Sequence, residues 1–432
     1  MPKKLPSDVG RAAVSHLSRR LVPFLFLLYI DAYLDRVNVS FAALQMQVQL
    51  GFSDAVYGFG AGLFFAGYFV FQVPSNLVLQ RVGAKRWLAM LMVAWGAVSS
   101  SMMFVSTARG FYILRFLLGL AEAGFVPGVI LYMKNWFPAD ARARTVAWFM
   151  TAGPLSFVVG GPISGALLGL HTRGGLAGWQ WLFLMEGVPA VLLGAVAYFY
   201  LTDHPADAHW LAPQQRAWLI ETLERERQSV AAVTRTSTLA AFTNGWIWIL
   251  VGVDFCLNTA SYGISLWLPT MIHRVSGVSS LVIGVLTAIP YLAATAIMVL
   301  VGFHSDRSGE RRWHIAISAF AGAVALFVGA HSTAAALLIV TMGLAMAGIS
   351  SIVGPMWALA TGMLAGTAAA VGIGLINAVG NLGGFFGPYI IGLARTSSGG
   401  FKGGLLVLGD ALGLSGILAL LVRPARPRAE QA

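Results

Sequence analysis

Residues 111–128 read FYILRFLLGLAEAGFVPG, an almost wholly apolar run that nevertheless holds Arg115 and Glu122. Seven positions separate the two charges, close to two helical turns. Both side chains therefore lie on one face of a helix, roughly 10 Å apart along its axis. The run has the composition to cross a bilayer, where a charged side chain costs about 2.5–3.5 kcal/mol at the centre. Charges kept at that cost face a protein interior or a water-filled cavity and mark substrate or ion pathways. The alternative is a structural ion pair that locks two helices.

The rest of the chain has the same character. Hydrophobic residues make up 57% of the 432, charged residues 10%, and the mean hydropathy is +0.76, outside the range of soluble domains. Twelve apolar segments are long enough to span: about 21–44, 55–79, 87–106, 110–134, 144–170, 179–202, 243–271, 279–303, 313–331, 333–360, 367–394 and 403–422. The fold expected is an all-α integral membrane protein of twelve helices in two six-helix bundles. Residues 1–20 form a loose cytoplasmic arm, 21–202 the first bundle, 203–242 a linker, 243–422 the second bundle and 423–432 a cytoplasmic tail. The net charge of +11 is a topology signal. With the N-terminus inside, 21 of the 28 Lys/Arg fall in cytoplasmic segments and five in outer loops, leaving Arg36 and Arg115 in spans. This balance implies a multi-pass protein of the inner (plasma) membrane with both termini cytoplasmic. Its partners are the lipid bilayer and a small molecule, with no nucleic acid, and the chain is expected to act as a monomer. The single Cys256 excludes a disulfide framework. No GxxxxGK[ST] run, metal cluster or nucleophile constellation occurs, so neither ATP drive, a cofactor, a metal nor enzymatic chemistry is expected. A non-transporting receptor would need a larger soluble domain than 203–242, where Pro213–Gln228 reads as an amphipathic helix.

Asp31, Asp35 and Arg36 interrupt the first span. Asp31 and Asp35 share a face one turn apart and resist ionising together. In the second span Tyr68 and Gln72 can hydrogen-bond a polar ligand from one face. The second half repeats the first: Arg81, Gly83, Arg86 and Trp87 recur as Arg307, Gly309, Arg312 and Trp313, and Gly161-Pro162 recurs as Gly387-Pro388, all 226 residues on. One offset over separated motifs indicates duplication of a six-span unit, the plan of alternating-access transporters. The charges are not duplicated. Beside Asp254, the second half offers mainly neutral polar groups: Asn258, Tyr262, Trp357, Asn377 and Asn381. Asn377 and Asn381 are placed for ligand contact or for helix-to-helix hydrogen bonding.

Five stretches carry a family resemblance: AYLDRVNVSFA (32–42), FQVPSNLVLQRVGAKRW (71–87), RFLLGLAEAGFVPGVILY (115–132), FHSDRSGERRWH (303–314) and GLINAVGNLGGFFGPYIIG (374–392). The chain resembles the major facilitator superfamily and, within it, the anion:cation symporters that import tartrate, phthalate, hydroxyphenylacetate or sugar acids. The resemblance implies import of an organic carboxylate driven by protons. A sodium symporter or an organic-anion exporter is the alternative. It puts proton coupling on Asp35 and Glu122, with Asp31 as an extra acid. Carboxylate binding falls to Arg36 and Arg115, and further substrate contacts to Tyr68 and Asn377; Trp357 and Tyr262, polar groups of the second half, are added as substrate-binding candidates from the residues themselves. Gating falls to the signature loops of Arg81, Gly83 and Arg86, and of Asp306, Arg307, Gly309 and Arg312. Gln80 stands where many members carry an Asp, while Asp306 keeps the acid in the second loop.

Overall fold

The computed structural model describes residues 8–231, 242–363 and 366–422. The last part of the linker and the C-terminal tail lie outside them. The described residues form α1 (Asp8–Leu50), α2 (Asp54–Val82), α3 (Ala84–Ser101), α4 (Ala108–Glu122), α5 (Phe125–Trp136), α6 (Ala139–Met150), α7 (Ala152–Leu168) and α8 (Gly178–Tyr200) in the first bundle. The linker helix α9 (Pro213–Ala231) follows. The second bundle holds α10 (Gly245–Ser276), α11 (Ser280–Ser308), α12 (Arg312–Ala330), α13 (Ala335–Met363), α14 (Gly366–Asn381), α15 (Gly383–Ser398) and α16 (Lys402–Leu421).

Three spans that read as single segments are each two helices end to end, and two of the breaks have a common cause. Proline has no N–H to donate and collides with the carbonyl four residues earlier. Pro127 sits four residues after Ala123, where α4 stops, and Pro154 four after Met150, where α6 stops. At the third break, α14 and α15 meet at Leu382, beside Gly383-Gly384 and just before Pro388. Residues 8–20, expected as a loose arm, instead extend α1. Ala13, Leu17, Leu21, Leu25 and Leu28 bury one continuous face. Trp218 of α9 closes over Gly10, and Arg20 stacks on Tyr200 at 4.5 Å and Trp210 at 4.7 Å. α9 is thus docked on the first bundle. Its Glu226 accepts from the Ala139 amide at 2.7 Å, at the start of α6, and pairs with Arg142 at 2.9 Å.

The outer surface is apolar. Ile317, Val324 and Val328 on α12, Leu414 and Ile417 on α16, and Leu192, Val196 and Phe199 on α8 stand exposed at helical spacing, a lipid-facing stripe on each rod. The inward faces bury small and aromatic residues.

The bundles touch most extensively in two seams related by the duplication. α2 packs on α15, and α7 on α11. A Cβ at Gly58 would lie 2.5 Å from the Pro388 carbonyl oxygen, and one at Gly284 would lie 2.2 Å from the Gly161 carbonyl and 3.2 Å from Pro162 Cα. Adding 226 converts Gly58 into Gly284 and Pro162 into Pro388, so one contact occurs twice. Both seams lie in the halves of the helices away from the basic turns. The same end carries the further ties between bundles: Asp54 to Arg395 at 3.1 Å, the Ala55 amide to Thr396 at 3.1 Å, and Tyr57 to the Leu266 carbonyl at 2.6 Å. Arg395 is further held over Phe401 at 4.3 Å and Trp267 at 5.2 Å.

Candidate functional site

α1 and α10 cross near the middle of the molecule and bring Arg36 and Tyr262 together. Arg36 Nη1 donates to the Tyr262 hydroxyl at 3.1 Å. These positions are also 226 residues apart, so the bond joins equivalent points of the two halves. Arg36 Nη2 forms an ion pair with Glu122, the last residue of α4. The guanidinium lies over Tyr33 at 4.8 Å, Phe64 at 5.1 Å and Tyr68 at 5.4 Å, a cage that suits a planar cation.

Arg115, two turns before Glu122 on α4, is fully buried. Its Nη2 donates to the Ala61 carbonyl at 3.1 Å, while Nε and Nη1 have no partner. Glu122 therefore takes Arg36 as its partner, and Arg115, which spacing set beside it, is left with free donors. Asp35, adjacent to Arg36 in sequence, points the opposite way. Ser99 of α3 donates to its Oδ1 at 2.5 Å and Asn38 to the same oxygen at 3.2 Å. Asp31 lies one turn earlier on α1, within electrostatic reach of Glu122 and beside Trp95. The structure thus gathers Arg36, Glu122, Arg115, Tyr68 and Tyr262 around one point, with Asp31 and Asp35 behind it.

The second bundle contributes less directly. Asn381 donates to both the side chain and the carbonyl of Asn377 in its own helix, the bonding that the one-turn spacing allowed. Trp357 is half-buried on α13. Asp254 is buried on α10 where Gly380 approaches so closely that a Cβ there would lie 1.9 Å from its carboxyl. Sequence reasoning missed Tyr33, Phe64 and Glu186. A lone acid in the apolar run LFLMEGVPAV (182–191) was the signal for the last.

The signature loops have definite geometry. Gly83 and Gly309 both take positive φ, 92° and 69°, which residues with a Cβ rarely adopt. Asp203 accepts from the Lys85 amide at 2.8 Å and so caps α3, while Arg81 and Arg86 are exposed. In the second loop Asp306 pairs with Arg311 at 2.7 Å, and Arg312 donates to the Val422 carbonyl at 2.8 Å. Arg307 is exposed.

Two pseudo-equivalent helical bundles, apolar outside and enclosing a charged site where they meet, define a membrane transporter. The chain belongs to the Major Facilitator Superfamily, whose description matches residues 25–388 and 277–432. It is 45% identical over 423 residues to a protein described as a tartrate transporter of Agrobacterium vitis, covering 98% of this chain and 94% of that one. It is 44% identical to the metabolite transport protein NicT of Pseudomonas putida, covering 96% and 95%. Among solved structures it resembles a bacterial homologue of the human lysosomal transporter Spinster in an inward-facing, occupied form, with a TM-score of 0.76 at 15% identity over 96% of this chain and 97% of that one. That likeness concerns the fold.

Proposed function

We propose that this protein imports an organic carboxylate together with protons, by alternating access, across the inner membrane. The observation that carries the reading is the buried Arg36–Glu122 pair set beside Arg115 with its free donors. Two guanidinium groups suit an anion, because each presents a planar fork to a carboxylate. In the present conformation Glu122 occupies one fork. A proton on Glu122 removes its charge and frees Arg36, so a carboxylate and a proton enter as a neutral set. Proton and substrate favour one another at adjacent sites, which is the coupling a symporter requires. The names of the relatives at 45% and 44% identity support an organic acid as cargo, tartrate first.

The positive-inside rule places the basic turns in the cytoplasm. The two glycine seams then close the outer side, and this conformation is the inward-facing one. Rocking about the central site opens the seams and brings the signature loops together. Arg81 and Arg86, exposed here, are the groups available to latch the inner side.

Reconstituted wild-type protein tests the reading. Labelled L-tartrate and a panel of other carboxylates are offered to proteoliposomes with an alkaline lumen. Accumulation that collapses with a protonophore is expected. Uptake driven by sodium and indifferent to pH would refute it.

A further inference from the structure

The interior of the first bundle holds more acids than bases. Among its described residues, the buried charged side chains are Asp31, Asp35, Glu122 and Glu186 against Arg36 and Arg115. Arg36 serves Glu122. The groups acting on Glu186 are Ser164, Asn38 and Asp31, and no cation is among them. A carboxylate without a cation in such surroundings neutralises itself by taking up a proton.

The hydrogen bonding points the same way. Ser164 of α7 donates to Glu186 Oε1 at 2.8 Å, and Oε2 has no partner. Asn38, on α1, donates one amide N–H to Asp35 and also acts on Glu186, and its own Oδ1 has no partner. Asp35 Oδ2 has none either. Three buried acceptors thus lie along this side of α1 without a hydrogen bond. A proton on a carboxyl supplies the missing donor. α3, which also packs on α8, presents no buried charge there. Glu186 lies eight residues into α8 from the end away from the basic turns, about 12 Å, whereas Asp35 lies fifteen residues from the corresponding end of α1, about 22 Å.

We propose that Glu186 is a proton carrier that exchanges its proton with Asp35 past Asn38, forming a proton path inside the first bundle, apart from the seams between bundles. The proton leaves the Glu186 carboxyl and arrives on the Asp35 carboxyl, so the net charge of the pair is constant. Asp31 continues the series towards Glu122 and the cargo. The path rests on the proton-symport reading given above.

Two measurements on the reconstituted full-length protein test it. Infrared difference spectroscopy needs no cargo. Near neutral pH, a protonated buried carboxyl band should disappear in Glu186→Gln and shift in Glu186→Asp. Ser164→Ala, which removes only the bond to Oε1, should shift the same band, so the question is answered even if Glu186→Gln fails to insert. Bands unmoved by Glu186→Asp or Ser164→Ala overturn the proposal. In proteoliposomes loaded with L-tartrate on both sides, Glu186→Gln should exchange at the wild-type rate. Under a gradient of one pH unit it should lose about tenfold in accumulation, the concentrating power of one coupled proton, and Glu186→Asp should restore it. Wild-type accumulation by Glu186→Gln overturns the path. Wild-type protein indifferent to the pH gradient refutes symport itself, a result separable from the infrared one.

Discussion

Arg115→Lys is a substitution whose effects on stability and on binding should have opposite signs. In the empty site Arg115 makes one hydrogen bond, to Ala61, and leaves the three N–H groups of Nε and Nη1 buried and unpaired. Each unpaired buried donor costs about 1–3 kcal/mol. Lysine keeps the charge, can still reach the carbonyl, and brings three donors in place of five, so fewer are left unpaired. The folded, empty protein should therefore be no less stable, and its melting temperature unchanged or higher. Binding should suffer, because an ammonium cannot present the fork. Losing one charge-assisted hydrogen bond to a carboxylate is worth about 1.5–3 kcal/mol, or about 10- to 150-fold in affinity. Thermal-shift titration with the best-binding member of a carboxylate panel reads both quantities in one experiment. Wild-type affinity in Arg115→Lys would refute the reasoning, as would lowered stability with affinity intact, which is the signature of a structural counter-charge.

Glu122→Gln keeps an acceptor for Arg36 and removes the charge, imitating a permanent proton. It should exchange substrate between the two sides of a proteoliposome and fail to concentrate it under a pH gradient, and wild-type accumulation would move the coupling role to Asp35 or Asp31. Gly161→Val places a Cβ 2.5 Å from the Gly284 carbonyl, so the seam cannot close. In a Cys256→Ser background, a cysteine introduced at Ser280, which packs against Gly165, should be labelled several-fold faster from the side away from the basic turns. Protection equal to that of the parent would show that the seam tolerates the wedge.

Much of this was legible in the chain. The spans, the basic turns and the 226-residue repeat follow from apolar length and from identities at one offset, which need no partner to be seen. Arg36, Arg115 and Glu122 stood out because a charge in an apolar run carries its own signal. Their pairing did not. Spacing along α4 set Arg115 beside Glu122, but the partner came from α1, and no pattern within one helix reports on another. Glu186 was overlooked for a related reason. It has no charged neighbour within its own span, and its meaning arises from Ser164 and Asn38 on two other helices. The helix breaks were written locally in Pro127 and Pro154, yet hydropathy averages across them. The N-terminal arm looked polar by composition, while its apolar residues fall on one face and continue α1.

The bond between Arg36 and Tyr262 has a historical meaning. In a duplicated chain these two positions once held the same residue, and the two helices met there as like with like. One copy now holds a guanidinium and the other a phenol, so the meeting point has become a donor facing an acceptor. Apart from Asp254, the later half carries no buried charge among its described residues, and its lining can drift without disturbing the ionic machinery of the earlier half. A chimera that joins this first bundle to the second bundle of a relative with another cargo should keep its energy source and change its diet, provided the graft retains a hydroxyl where Tyr262 stands.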